Sequence, residues 1–417
     1  MPGDSPLNGS DYLMLGFDYE LRRQGYPGNS CQIVLELNRK ISADALRQRL
    51  NFLVQRYPIL ASRPAGWFTP RWKAVSPVAF VPSVRVHGSA SQSLEPLTLK
   101  RGELFRFDLI EREDGIELVF TWTHALMDAP SAEHFLAVVG RDDIPLPATT
   151  PLPPRPKKPL KERVQLARKN VNQLSDFCKA APHTVGLRFP QAPKVQRVCV
   201  ERFTLEETAR IKANGVKLCG ALGDAQFHAA VAMMELHRLH QRIGKPSPSY
   251  VLPVPVSLRA KGSVEPVFSN QIAMLMVQFL PDQLDATATA VATLKAQLAQ
   301  SLRDRRIEAG VAITELSRGL PFPLYLYILK QHVLRGEICS FFYGDVANVS
   351  PLLTTFLGAS IKDFTHVGAT TPSPGIGAIF YYFGGQMRVT VFHLETHFSP
   401  SEAAEFAASI RQRLLNP

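Results

Sequence analysis

The stretch Glu117–Phe135, ELVFTWTHALMDAPSAEHF, decides how the rest of this 417-residue chain is read. From Glu117 to Trp122 it is a run of β-formers, Val119 and Phe120 among them, without glycine or proline, and predicts a buried strand. That strand delivers Thr123, His124 and Asp128 at its end, where a rigid scaffold commonly presents reactive groups. A histidine that merely caps or fills a core would produce the same segment. Taken alone, the segment leaves both readings open.

Upstream, Leu104 to Ile110 (LFRFDLI) predicts a partner strand, joined through the turn formers Glu113, Asp114 and Gly115 as a hairpin with a loop of three to five residues. A helix over Ala132 to Val139 is expected to pack back on this sheet. Earlier still, Cys31 to Leu37 reads as a strand. Ser42 then suits an N-cap, and Leu46, Leu50, Leu53, Val54 and Tyr57 share one helical face that Pro58 closes.

Beyond the opening stretch the composition changes. The segment from about 146 is proline-dense and reads as a linker. It leads to a basic amphipathic helix over about 160–178, whose expected apolar face is Leu160, Val164, Ala167, Val171 and Leu174. That helix is a solvated surface element, or a contact for a membrane surface or an acidic carrier. Next come an alternating strand (VQRVCVERFTL) and two helices joined around Asn214-Gly215. The strands SYVLPVPVSLR and NQIAMLMVQFLP follow, the second apolar on both faces and so interior, then a helix from about Ala286 to Ile307. A hairpin across Gly384-Gly385 and a helix from Ser401 close the chain. Both halves mix sheet and helix at similar length. The division this suggests is 1–190 for an N-terminal lobe and 191–417 for a C-terminal lobe.

Bulk properties narrow the classes of partner. No apolar run reaches the roughly 18–20 residues that span a bilayer, and the first residues lack the basic start and apolar core of a secretory signal. Five cysteines, odd in number and never spaced CxxC, argue against a disulfide framework or zinc site and fit a reduced, cytoplasmic setting. A net charge of +11 suits anionic partners, phosphorylated ligands above all, or serves as plain solubilising charge. No nucleic-acid motif accompanies it. Neither a GxSxG elbow, a P-loop nor a GxGxxG is present. His124, Asp128 and His134 match no familiar metal spacing. His366, His393 and His397 read as surface or core histidines.

At this point the order of segments is informative. THALMDA (123–129) resembles the HHxxxDG motif of the CoA-dependent acyltransferase superfamily, which includes chloramphenicol acetyltransferases, condensation domains and wax ester synthases. LVQRYPILASR (53–63), GVKLCGALGDAQFHAAV (215–231), PVPVSLR with SNQIAMLMVQFLP, and FGGQMRVTVFHL (383–394) are similar to further segments of that superfamily, in the same order and over nearly the whole chain. Two positions depart from the motif: Thr123 stands where the first histidine would be, and Ala129 where the glycine would be. The plant-type DFGWG segment is absent.

The resemblance implies an α/β fold of two chloramphenicol-acetyltransferase-like lobes, each a mixed sheet flanked by helices, with a tunnel between them. It implies acyl transfer from a CoA or carrier-protein (phosphopantetheine) thioester to an alcohol or amine, with no bound cofactor and no metal. His124 takes the place of the general base, which suits an imidazole that titrates near neutrality. Asp128 takes a structural place, paired with Arg259 of PVSLR, and Thr123 supports the same turn. Asn270 and the Ala129 amide are the candidate oxyanion donors, though an ordinary turn residue would serve as well at position 270. The alternative is a relative that keeps the fold and binds a ligand or an acyl carrier without turnover.

Overall fold

A computed structural model of the chain describes residues 5–75, 83–88, 95–148, 158–221, 223–332 and 339–417. In chain order the first half contains β1 (Ser5–Pro6), α1 (Gly9–Arg23), β2 (Ser30–Leu37), α2 (Ala43–Arg56), β3 (Ser62–Ala65), β4 (Arg71–Ala74), β5 (Val84–His87), β6 (Phe105–Arg112), β7 (Gly115–Thr123) and α3 (Ala129–Gly140). Then come α4 (Leu160–Lys179), β8 (Gln196–Arg202), α5 (Leu205–Cys219), α6 (Asp224–Arg242), β9 (Tyr250–Ser257), β10 (Ile272–Phe279), α7 (Thr287–Arg303), α8 (Arg306–Ser317) and α9 (Phe322–His332). The chain ends with β11 (Phe342–Asn348), β12 (Thr355–Phe356), β13 (Ala359–Val367), β14 (Ile376–Phe383), β15 (Gln386–Leu394) and α10 (Pro400–Leu415). Part of the proline-dense linker, 149–157, lies outside the described residues.

The strand read from Glu117 to Trp122 is β7, and it sits inside a six-stranded sheet of order β12-β13-β2-β7-β6-β5. Nearly every residue of it is buried, so both of its faces are covered. Phe107 and Phe120 stack across the hairpin at 4.7 Å, and Phe120 stacks on Trp122 at 5.2 Å. Against this layer α2 presents Leu46, Leu50, Leu53 and Val54, all buried, behind the expected Ser42 cap, which accepts from the Ala45 amide. The hairpin turn is tighter than expected: Arg112 faces Gly115 directly, leaving Glu113 and Asp114 as its only loop residues. Only glycine fits at 115, because a Cβ there would lie 2.0 Å from the Leu37 carbonyl oxygen.

A four-stranded sheet, β11-β14-β15-β8, carries a second core in which α6 and α10 bury Phe227, Val231, Phe406 and Ile410 against Val389 and Val391. The fold is thus the expected pair of mixed α/β lobes. However, the division at 190/191 does not separate the sheets. β13 pairs with β2 (Phe364 opposite Leu35), so residues from the C-terminal half complete the N-terminal sheet.

Three local readings change for identifiable reasons. Helix α5 runs through Asn214-Gly215 and stops at Gly220, whose φ is +88°; Gly215 instead permits close approach, since a Cβ there would meet the Asp224 carboxylate at 3.0 Å. The helix expected to Ile307 breaks at Arg305, at φ +59°, into α7 and α8. β10 alternates half-buried and buried residues rather than lying wholly inside, paired only with β9.

Helix α4 is rotated relative to its expected face: Leu166, Ala167 and Asn170 are buried, whereas Leu160, Val164 and Val171 are exposed. Its neighbour α8 buries the small Ala309 and Ala312, with Ile313 and Leu316 half-buried beside them, and Lys158 and Glu162 are held by Glu308 and Arg305. These polar ties, together with the small apolar strip, set the rotation.

Gly115→Ala is expected to destabilise the protein by about 1–3 kcal/mol through overpacking. The change would be read as a lower urea midpoint at unchanged slope.

Candidate active site

Strand β7 ends at Thr123, and the chain turns through His124 to Met127 before α3 begins. Backbone contacts hold this turn. The His124 amide donates to the Asn29 carbonyl at 2.9 Å, Leu126 N–H to the Thr123 carbonyl at 3.0 Å, and Trp122 Nε1 to the Met127 carbonyl at 3.0 Å. From the other half of the chain, Asn270 Nδ2 donates to the His124 carbonyl at 2.7 Å. Position 124 is therefore fixed through its main chain.

The imidazole is half-buried, with Nδ1 sealed away from solvent and without a hydrogen-bond partner. That leaves Nε2 as the nitrogen a ligand can reach. Burial pushes the His124 pKa below its ordinary value, against weaker opposing pulls from its own carbonyl and the Asp128 charge. The ring is neutral at neutral pH and has a lone pair to accept a proton.

Asp128 makes its hydrogen bonds to groups other than that ring. It is the N-cap of α3, accepting from the Ser131 amide at 3.3 Å. Arg259 grips it with two N–H groups, at 2.7 and 3.0 Å, and the Gln271 amide adds a bond at 2.9 Å. Arg259 also donates to Ser131 Oγ at 2.6 Å and to the Val264 carbonyl at 3.1 Å. The structure thus brings Asp128 and Arg259 together across 131 residues of sequence.

Asn270 does not offer an oxyanion donor. Its Nδ2 is committed to the His124 carbonyl and to Asp11 Oδ1, the latter at 2.9 Å, and its amide N–H also reaches Asp11 Oδ1, at 2.8 Å. Ala129 is the first residue of α3, and amides of a first helical turn lack intrahelical acceptors. Thr123 is fully buried and its Oγ1 has no partner; Ser30, opposite it on β2, has a buried and unpartnered hydroxyl as well.

The sequence reading missed Asp11 and Asn8. Asn8 caps α1 in a reciprocal box with Asp11, and Asn8 Nδ2 donates to the Ser269 hydroxyl and the Asn270 carbonyl. Burial pushes Asp11 up to about 7, although three N–H donors favour its charged form. The N-x-x-D spacing of 8–11 is a recognisable capping signature; its link to position 270 is a product of the fold alone. His134 lies half-buried on α3, while His366, paired with Glu133 at 2.7 Å, and His393 and His397 are core residues. Among the described residues no cluster of three or more His, Cys, Asp or Glu side chains is placed to hold a metal ion.

No family model and no curated protein matches the chain by sequence. Solved structures do. The chain is similar to the trichothecene 15-O-acetyltransferase TRI3 from Fusarium sporotrichioides, with a TM-score of 0.70 at 11% identity, over 97% of this chain and 93% of that one. It is also similar to the first condensation domain of the calcium-dependent antibiotic synthetase, at 0.69 and 14%, over 100% and 97%. A third likeness is to polyketide synthase associated protein 5 from Mycobacterium tuberculosis, at 0.64 and 19%, over 99% and 98%. The architecture is that of condensation domains and of an O-acetyltransferase: the two-lobed chloramphenicol-acetyltransferase-like fold.

Asp128→Ala strips a buried arginine of its partner and is expected to cost about 3–5 kcal/mol. Arg259→Lys keeps the charge but loses the two-pronged grip, and a smaller loss of roughly 1–3 kcal/mol is expected. Chemical denaturation of the two variants beside wild type measures both.

Proposed function

We propose that the protein is an acyltransferase that moves an acyl group from a CoA or carrier-protein thioester to an alcohol or amine, with His124 as general base. One observation carries the proposal. The turn after β7 holds a neutral, half-buried imidazole by its main chain, with Nε2 open to a ligand, inside a fold shared with a known O-acetyltransferase. A thioester is already activated, so the chief task is to remove the acceptor's proton as it attacks. Nε2 would take that proton while the acceptor oxygen or nitrogen bonds to the acyl carbon. The tetrahedral oxyanion would then collapse, the C–S bond breaking as the imidazolium returns the proton to the leaving thiolate. The Ala129 amide, at the positive end of α3, is the donor we assign to the oxyanion. The basic surplus suits both donors, since CoA and phosphopantetheine carry phosphate.

A second reading, a protein that binds ligand or carrier without turnover, draws on Thr123 and Ala129, the two departures from HHxxxDG. Release of free thiol from acyl-CoAs of graded chain length separates the two. Under the proposal, wild type releases thiol and His124→Ala lowers the rate about 10²–10⁴-fold. An absence of release from wild type, with both CoA and carrier-bound donors, favours the binding reading.

The proposal also sets a pH dependence. The free base is the working form, so kcat/KM should rise with pH through the His124 pKa and level off above it. Because burial lowers that pKa, the midpoint is expected on the acid side of an ordinary histidine. A rate profile between pH 4 and 9 (about the span over which an imidazole titrates) checks this.

A further inference from the structure

From Phe322 to Leu329 helix α9 is apolar on all sides, yet among the described residues only one side is covered. Phe322, Tyr325, Leu326 and Leu329 are buried, and the rings of Phe322 and Tyr325 meet Tyr12 of α1 at 5.3 and 4.8 Å. The opposite side carries Leu324, Tyr327 and Ile328, exposed to 46, 62 and 40%. The tip of the β3–β4 hairpin continues this surface. The Phe68 carbonyl accepts the Phe322 amide at 2.8 Å, and Trp67 lies 6.0 Å from the Phe322 ring and 5.4 Å from Tyr19. Trp67 and Phe68 are themselves 49 and 67% exposed. Among the described residues nothing covers this patch.

Cations frame it. Arg63, Arg71 and Lys73 of the hairpin and Lys330 of α9 are exposed, and segments 62–74 and 321–330 contain no acidic residue. The surface combines a helix flank with a hairpin tip. Aromatic rings and aliphatic side chains inside a positive rim suit an interface between water and acyl chains with anionic headgroups. Tyr19 sits eight residues beyond Asp11 on α1, about 12 Å along the helix, so the patch and the clamp on His124 share one helix.

We propose that this patch, Tyr19, Trp67, Phe68, Leu324, Tyr327 and Ile328, docks the protein on an anionic lipid surface, so that a membrane-borne acyl donor or acceptor enters alongside α1. The purpose rests on the acyltransferase reading; the docking does not, and the two fail separately because docking is measured without turnover.

The chain carries its own reporter. Of its three tryptophans, Trp72 and Trp122 are buried and only Trp67 is exposed. Full-length protein is titrated at low salt with phosphatidylcholine vesicles, with and without phosphatidylserine, while tryptophan emission and co-sedimentation are followed. A blue shift with vesicle binding, stronger on the phosphatidylserine vesicles, is expected. Phe68→Ser combined with Tyr327→Ser leaves Trp67 in place and should weaken partition by roughly tenfold or more. Leu160→Ser combined with Val164→Ser, on the exposed side of α4, should leave it unchanged. Thermal unfolding of each variant confirms that both are folded. Absence of binding by wild type, undiminished binding by the first variant, or loss of binding in the second overturns the proposal. So does a blue shift produced by an acidic carrier protein and by no vesicle.

Discussion

The tie between Asp128 and Arg259 organises the site. Two charges taken out of water pay a desolvation cost that their mutual attraction offsets only when the remaining hydrogen-bonding capacity is filled. Here it is filled. One carboxylate oxygen accepts from Arg259 and the Ser131 amide, the other from Arg259 and the Gln271 amide, so all four lone-pair positions are engaged. The pair joins the start of α3 to the segment between β9 and β10, and thereby fixes one half of the chain against the other at the turn that bears His124.

That saturation restricts the chemistry. A carboxylate with no lone pair to spare and both oxygens turned to Arg259 does not orient an imidazole as the aspartate of a catalytic triad does. His124 is positioned by peptide groups instead: the Asn29 carbonyl, the Asn270 side chain and the Thr123–Met127 turn. Asn270 is held in turn by Asp11. The chain of contacts thus runs from a helix cap near the start of the sequence, through position 270, to the main chain of His124. Burial outweighs the pull of the Asp128 charge on the ring and favours its neutral form, the form that the proposed transfer from a thioester requires.

The elements around the opening stretch were legible because their signals are local: a β-branched and aromatic run, a cap at Ser42, an apolar stripe at Leu46, Leu50 and Leu53, a turn at 113–115. Pairing of Asp128 with Arg259 came from the order of motifs, since no local rule links residues 131 apart. What local patterns do not carry is which strands share a sheet. β13 resembles any alternating strand of the C-terminal half, and only tertiary packing delivers it to β2. Asn270 reads as a donor near the base until Asp11, from a helix with no visible link to it, takes up one of its two side-chain hydrogens.

The two surface helices show the same limit from opposite sides. Periodicity marks α4 as amphipathic, yet the buried part of its partner strip on α8 is the small Ala309 and Ala312, with Ile313 and Leu316 only partly covered, so the helix rotates to satisfy its ion pairs and leaves Leu160, Val164 and Val171 in water. In α9 there is no period to read, because it is apolar all round, a pattern that ordinarily means burial on every side. Among the described residues, the fold covers only the side that meets α1. Exposed apolar surface of this kind costs solubility, and a chain carrying +11 at neutral pH tolerates it through charge repulsion. On the docking proposal, the same positive field that would oppose self-association of the patch would also draw it toward an anionic surface, so both properties would follow from one charge distribution.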